Sequence, residues 1–314
     1  MKKFILLSAI TVSLVSCGNN KKEDSGAAIT IDGSSTVYPI TEAIAEEYRA
    51  EAPDVDVTIG VSGTGGGFQK FGRGEIDIAN ASRPIKDKEA AIAKENGVNF
   101  VELEVAYDGL AVVVHPENNW VTSMTVEQLR RLWEPSAQGT ITRWNQINPE
   151  WPDEEIHLFG PGVASGTFDY FTEAIVGESG TSRGDYTASE DDNVLVQGVS
   201  GDKFGLGFFG LAYYEANQDK LKLVSIDNGN GPVSATSETI RDGSYAPLSR
   251  PLYIYVNSTS LRNPKVIEFV RFYLEEAPGL MKDVGYVPLT EAEYKAELET
   301  FNTFVEENPV EAAQ

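Results

Sequence analysis

Four short segments gather residue types that can hold an oxyanion: DGSSTVYP (32–39), GVSGTGGGF (60–68), NASRP (80–84) and GPGVASGTFDYF (160–171). Each places small or hydroxyl-bearing residues where a strand-like run ends and an amphipathic pattern follows. The first turn of a helix exposes unpaired N–H groups and partial positive charge. Glycine lets backbone approach a ligand closely, and hydroxyls add donors. In open α/β sheets such turns lie at the carboxyl ends of the strands, where ligands bind. Any single segment is accounted for by ordinary helix capping. It is the repetition that points to a tetrahedral anion, with Arg83 as a planar cationic donor.

The elements needed to position these segments are visible in the apolar periodicity. Strands are expected at 29–31, 55–61, 76–80, 154–160 and 251–257, with a long apolar stretch at Leu110–Val114. Helices are expected at 36–51, 68–74, 86–96, 123–134, 168–176 and 264–279, with an acidic terminal helix after Glu291. The stretch 204–214 reads as strand passing into helix. Strands alternating with helices predict an α/β fold with largely parallel sheets.

The chemistry of the rest of the chain is sparse. There are two histidines, His115 and His157, too far apart in sequence for a local metal motif, and no G-x-S-x-G elbow. Gly205, Gly207 and Gly210 satisfy G-x-G-x-x-G, with Asp227 where a ribose-reading acid would stand, but bulky Phe208 and Phe209 fill the variable positions. The expectation is a protein with no catalytic residues, no metal and no cofactor.

The N-terminus is a targeting segment. Lys2 and Lys3 precede an apolar core, Phe4 to Val15, too short for the about 20 residues of a membrane span. Its ending, LVSC, resembles a lipobox, which makes residues 1–16 a lipoprotein signal peptide and Cys17 the lipid anchor. Residues 17–27 read as a polar tether. Cys17 is the single cysteine, so the chain holds no intrachain disulfide. Removing the signal leaves 23 basic against 48 acidic residues, a net charge of −25. Such a chain is a poor partner for nucleic acid, and any anion site in it must act at short range.

Taken together, IDGSSTVYPITEAIAEEY, VSGTGGGFQKFGRGEIDIANASRPIK, AYDGLAVVVHP, GPGVASGTFDYFTEAIVGE, SRGDYTASEDDNVLVQGV and GLGFFGLAYY resemble the substrate-binding proteins of bacterial phosphate ABC transporters, the PstS family. The resemblance runs over about residues 28 to 290. It implies a two-lobed periplasmic-binding-protein fold of type II-like arrangement, with hinge-linked lobes and the ligand cleft between them. Lobe one would be 28–109 plus 252–314 and lobe two 110–251.

By position in the family motifs, Ser35 and Thr36 match the donors of the first loop and Ser62 the first serine of the second. Ser165, Gly166 and Thr167 match the SGT segment of the second lobe. Two positions depart. Many relatives carry an aspartate where Arg83 stands, and an arginine where Pro161 stands. The cation is therefore inferred to have crossed the cleft to Arg83, with Arg183 as a second candidate and Asp185 or Asp108 as acceptor of the ligand's proton. The implied function is high-affinity capture of inorganic phosphate outside the cytoplasm by a lipid-anchored monomer that delivers it to a transmembrane permease. The rival readings are another oxyanion, such as sulfate or molybdate, or a sensor or scavenger with no permease.

Overall fold

A computed structural model of the chain describes residues 28–309. The signal peptide 1–16, the tether 17–27 and Cys17 lie outside the described residues.

The chain opens with β1 (Ala28–Gly33), α1 (Tyr38–Glu51), β2 (Asp56–Gly60), α2 (Gly63–Gly72), β3 (Ile78–Ala81), α3 (Asp87–Glu95) and the long β4 (Phe100–Val114). It continues through β5 (Ser123–Thr125), α4 (Val126–Trp133), α5 (Trp144–Ile147), β6 (His157–Pro161), α6 (Gly166–Phe171), β7 (Thr187–Ser189), β8 (Gly205–Gly210), β9 (Lys222–Leu223), β10 (Ser225–Asp227), β11 (Pro232–Val233) and β12 (Ser249–Asn257). Two 17-residue helices, Pro264–Leu280 and Glu291–Glu307, complete it.

Nine strands form one curled sheet in the order β2-β1-β3-β12-β4-β8-β6-β7, with β9 also on β4. The outer pairs, β1 with β2 and β3, and β6 with β7 and β8, are parallel. The middle is antiparallel: β12 pairs with β3 and β4, and β4 with β8. The expected largely parallel sheet is thus mixed, because the two strands that link the halves run against their neighbours. β4 pairs with β12 through Phe100–Gly109 and with β8 through Leu110–Val114, so one strand belongs to both halves of the two-lobed fold.

Leu110–Val114 are all fully buried, which is why this run reads as unbroken apolar sequence rather than as an alternating strand. On one half, α1 buries Ile40, Ile44 and Tyr48, and Tyr48 meets Phe269 of helix Pro264–Leu280 edge-on at 5.2 Å. On the other, Phe171 stacks on Phe208 with ring centroids 3.7 Å apart, and Trp133 closes on Phe208 at 5.0 Å.

Two helix starts differ from expectation by three residues or more. The helix expected from Phe68 starts five residues earlier, at Gly63, inside the glycine run. Glycine disfavours helix by about 1 kcal/mol per residue. The reason it is used here is contact: a Cβ on Gly67 would lie 2.6 Å from the Cα of Gly33, so α2 packs directly on the end of β1. Second, Ser123–Thr125 form β5, and the helix expected from 123 begins at Val126 behind a Thr125 cap.

Candidate functional site

The first loop leaves β1 at Gly33, whose φ of +140° is open only to glycine. Ser34 N–H donates to Asn80 O at 2.9 Å, tying the loop to β3. Thr36 N–H donates to Ser34 Oγ at 3.2 Å, and Tyr286 OH donates to Thr36 O at 2.6 Å. α1 then begins at Tyr38, and Val37 before it makes no side-chain cap. The hydroxyls of Ser35 and Thr36 are therefore not spent on capping that helix, the role that would otherwise account for them.

The second loop is held from behind. Asp32 Oδ1 accepts from both Ser62 N–H, at 3.0 Å, and Ser62 Oγ, at 2.6 Å, while its other oxygen pairs with Lys70. Burial pushes the Asp32 carboxyl up, but the hydrogen bonds from Lys70 and Ser62 outweigh it and hold the group below its ordinary range. The predicted ligand residue Ser62 thus turns its hydroxyl to Asp32. The first residues of α2 instead face the cleft: Gly63, Thr64 and Gly65 line a cavity of about 210 Å³. Thr64 Oγ1 lies 3.0 Å from Ser82 Oγ, joining the second and third loops.

Ser34, Ser35, Thr36, Ser82 and Arg83 line the same cavity from one side. The guanidinium of Arg83 is gripped by both carboxylate oxygens of Glu89, at 2.8 and 2.9 Å. The opposite wall is Asp169, Tyr170, Glu173 and Ser179, on α6 and just beyond it. The SGT residues that begin α6 do not line the cavity. Ser165 Oγ accepts from Thr167 N–H at 3.2 Å as a cap, and Gly166 abuts the first loop. A Cβ on Gly166 would lie 3.0 Å from Thr36 N and 3.1 Å from Thr36 Oγ1, so the amino end of α6 comes close against the first loop.

Sequence reasoning missed Arg250. It sits near the start of β12 and lines the cavity between the two walls. Its Nη2 donates to Thr36 Oγ1 at 3.0 Å and lies 3.4 Å from Asp108 Oδ2. Its Nη1 is 3.9 Å from Glu173 Oε2, and its guanidinium lies 3.6 Å from the centre of the Tyr170 ring. The signal was the single charge in a largely apolar strand, at the second position of SRPLYIYVN. A charge there must be paired to be buried.

Arg183, the second candidate cation, does not line the cavity. It is 4% exposed, and its guanidinium donates to Leu132 O at 3.0 Å, Ile141 O at 2.9 Å and both oxygens of Asp185. This arginine clasps α4 to the following loop, and every arm is engaged away from the cleft. Asp185 goes with it. The Arg183 hydrogen bonds pull its carboxyl down to about 2 against the smaller cost of burial. Asp108 is buried behind Arg250, and burial pushes its carboxyl up despite that partner. Neither lines the cavity, whereas Asp169 does. Burial raises the Asp169 carboxyl, with Ser179 and Arg250 opposing.

The lining therefore pairs two cations, Arg83 and Arg250, with two carboxylates, Asp169 and Glu173, among hydroxyls and the amino end of α2. Such a cavity can hold an anion through donors at short range while offering acceptors to a proton on that anion.

The model for the PBP superfamily domain matches residues 20–277. Protein SphX of Synechocystis is 52% identical over 276 residues, covering 88% of this chain and 82% of the relative. The phosphate-binding protein PstS of Staphylococcus saprophyticus is 41% identical over 305 residues, covering 94% and 92%. A solved structure described as a possible phosphate binding protein from Planctomyces limnophilus superposes with a TM-score of 0.85 at 44% identity, covering 89% of this chain and 99% of that one.

Proposed function

The chain belongs to the PBP superfamily and, within it, to the PstS phosphate-binding proteins, and we propose on that premise that it captures inorganic phosphate and hands it to an ABC permease. The observation that carries this reading is the composition of one cavity, where Ser35, Thr36, Ser82, Arg83 and Arg250 face Asp169 and Glu173. The donors would hold the phosphoryl oxygens. Asp169, in place of the expected Asp108 or Asp185, would accept the proton of hydrogen phosphate. Sulfate carries no such proton and would meet an unpaired carboxylate, which is rejection by repulsion.

In this reading lobe one is 28–109 plus 252–314 and lobe two is 110–251. β4 and β12 are the hinge, and ligand contacts to both sides stabilise closure. Ser165, Gly166 and Thr167 act at the lobe contact, where Gly166 lets the second lobe close on Thr36. The signal 1–16, the tether 17–27 and a lipid on Cys17 would hold a monomer on the outer side of a membrane. Isothermal titration of the ligand-free protein with phosphate, arsenate, sulfate and molybdate tests the function. Tight phosphate binding with weak sulfate binding is expected. Sulfate binding as tightly as phosphate would overturn the specificity.

A further inference from the structure

Behind the wall formed by α6, one buried hydroxyl joins three pieces of backbone. Thr172 is fully buried and begins a single π-helical turn, Thr172–Val176. Gly177 N–H donates to Thr172 O at 2.9 Å, the five-residue spacing of such a turn. The Thr172 hydroxyl donates backwards to Phe168 O at 2.8 Å and shares its proton with Asp169 O at 3.0 Å. It accepts forwards from Gly180 N–H at 2.8 Å. A hydroxyl has one proton and two lone pairs. Here the proton is committed to the end of α6 and a lone pair to the loop that follows.

Both partners support the cleft wall. Asp169 lines the cavity, and so does Ser179, the residue before Gly180. Gly180 has a φ of +76°, and a Cβ on it would lie 3.9 Å from Asp169 Oδ1, so the loop folds back beside that carboxyl. Ser179 and Arg250 favour the charged form of Asp169, while Glu173 opposes it. Gly177, Glu178, Ser179 and Gly180 are all exposed, so no buried side chain among them anchors the loop. The bond from Gly180 to Thr172 does. Thr172 itself does not line the cavity.

We propose that Thr172 is a positioning residue for anion specificity: its hydroxyl fixes Ser179 against Asp169, so that the carboxylate stands where a proton on the bound anion would be met. This rests on the reading of Asp169 as the acceptor of that proton. A carboxylate held in place rewards a protonated anion and repels an unprotonated one; a carboxylate free to turn away does neither. Valine matches threonine in shape but has no hydroxyl, so Thr172→Val removes the clasp while filling the same space.

The test is calorimetric titration of phosphate and sulfate into the ligand-free chain and into its Thr172→Val, Thr172→Ser, Asp169→Asn and Thr172→Val/Asp169→Asn variants, with the melting temperature of each. Thr172→Val should cut the preference for phosphate over sulfate by about tenfold. Thr172→Ser, which keeps the hydroxyl, should restore most of it. The double variant should show the preference of Asp169→Asn alone, because the two residues act through one group. A lower melting temperature in Thr172→Val with the preference intact would make Thr172 a packing residue and overturn the proposal. A loss that simply adds to that of Asp169→Asn would also overturn it. Should Thr172→Val fail to fold, Ser179→Ala, at an exposed position, takes its place: the preference should fall several-fold, and an unchanged preference would overturn the proposal. Asp169→Asn with the wild-type preference would instead overturn the reading of Asp169 on which the proposal rests.

Discussion

Arg250 donates to the hydroxyl of Thr36 across 3.0 Å, joining the start of β12 to the first loop of the cleft. The same guanidinium is stacked on Tyr170 and backed by Asp108, so its position is set before any ligand arrives. Arg250→Gln should weaken phosphate binding by about 1.5–3 kcal/mol, the worth of a hydrogen bond to a charged group, or roughly 10- to 150-fold in Kd by calorimetry. Arg250→Lys should recover little of this, because an ammonium lacks the flat face that Tyr170 supports.

Arg83 is shared between the cavity and Glu89. Glu89→Gln keeps a side-chain acceptor for the amino end of α3 but removes the competing charge. Phosphate affinity should rise several-fold, while Arg83→Ala should lower it. Titration at low salt checks both. An Arg83→Ala chain with unchanged affinity would show that the Glu89 pair is the arginine's whole role.

Asp169→Asn converts an acceptor into a group that can also donate. Sulfate should then bind more tightly and phosphate less tightly, collapsing the ratio between them. In the wild type the carboxyl is raised by burial, so acidification protonates it within a window above the ordinary aspartate range. Discrimination against sulfate should fall as pH drops through that window. A ratio indifferent both to the substitution and to pH would remove Asp169 from the specificity argument.

Arg183 predicts the opposite pattern. Arg183→Met leaves the Leu132 and Ile141 carbonyls without this donor, at about 1–3 kcal/mol for each buried acceptor left unpaired. The melting temperature should drop by several degrees, while the folded protein keeps its phosphate Kd. A changed Kd at unchanged stability would restore Arg183 to the site.

Glu297, on the last helix, is raised to about 7 by burial, with Glu104, Glu102 and Glu293 adding to the shift. Asp192 is raised to about 6 in the same way. A carboxyl with a raised folded pKa binds more protons folded than unfolded. The stability it contributes is full below the unfolded pKa of about 4.3 for glutamate and is lost as pH climbs through about 7. Thermal unfolding should therefore give a higher melting temperature at pH near 6 than near 8. Glu297→Gln should flatten part of that slope, leaving the share owed to Asp192. An unaltered slope would mean that Glu297 is solvated like any surface acid.

β12 and the Leu110–Val114 half of β4 were legible in sequence because their apolar runs are long and end at clear turn residues; the first half of β4, where charged residues alternate with apolar ones, was not. The glycine start of α2 was not. Propensity argues against a helix there, and the contact of Gly67 with Gly33 that overrides it is a tertiary fact. The first loop was legible as chemistry because its hydroxyls recur in kind elsewhere in the chain. Arg250 was hidden because its partners, Thr36, Asp108 and Tyr170, are remote in sequence. Arg183 misled for the converse reason: Asp185, two residues on, already supplied its partner.

β12 runs antiparallel beside β4 through Ser249–Asn257, and Arg250 stands at its second position. In the proposed reading β12 is part of the hinge, and a residue on a pivot moves little when the arms around it swing. Arg250 would therefore present nearly the same charge to solution whether the lobes stand apart or together. It would govern how fast an anion is found, while Ser35, Arg83 and Asp169, carried on the arms, would govern how long the anion stays. Substitutions at the pivot and on the arms should then divide between association rate and residence time, even where their equilibrium effects are equal.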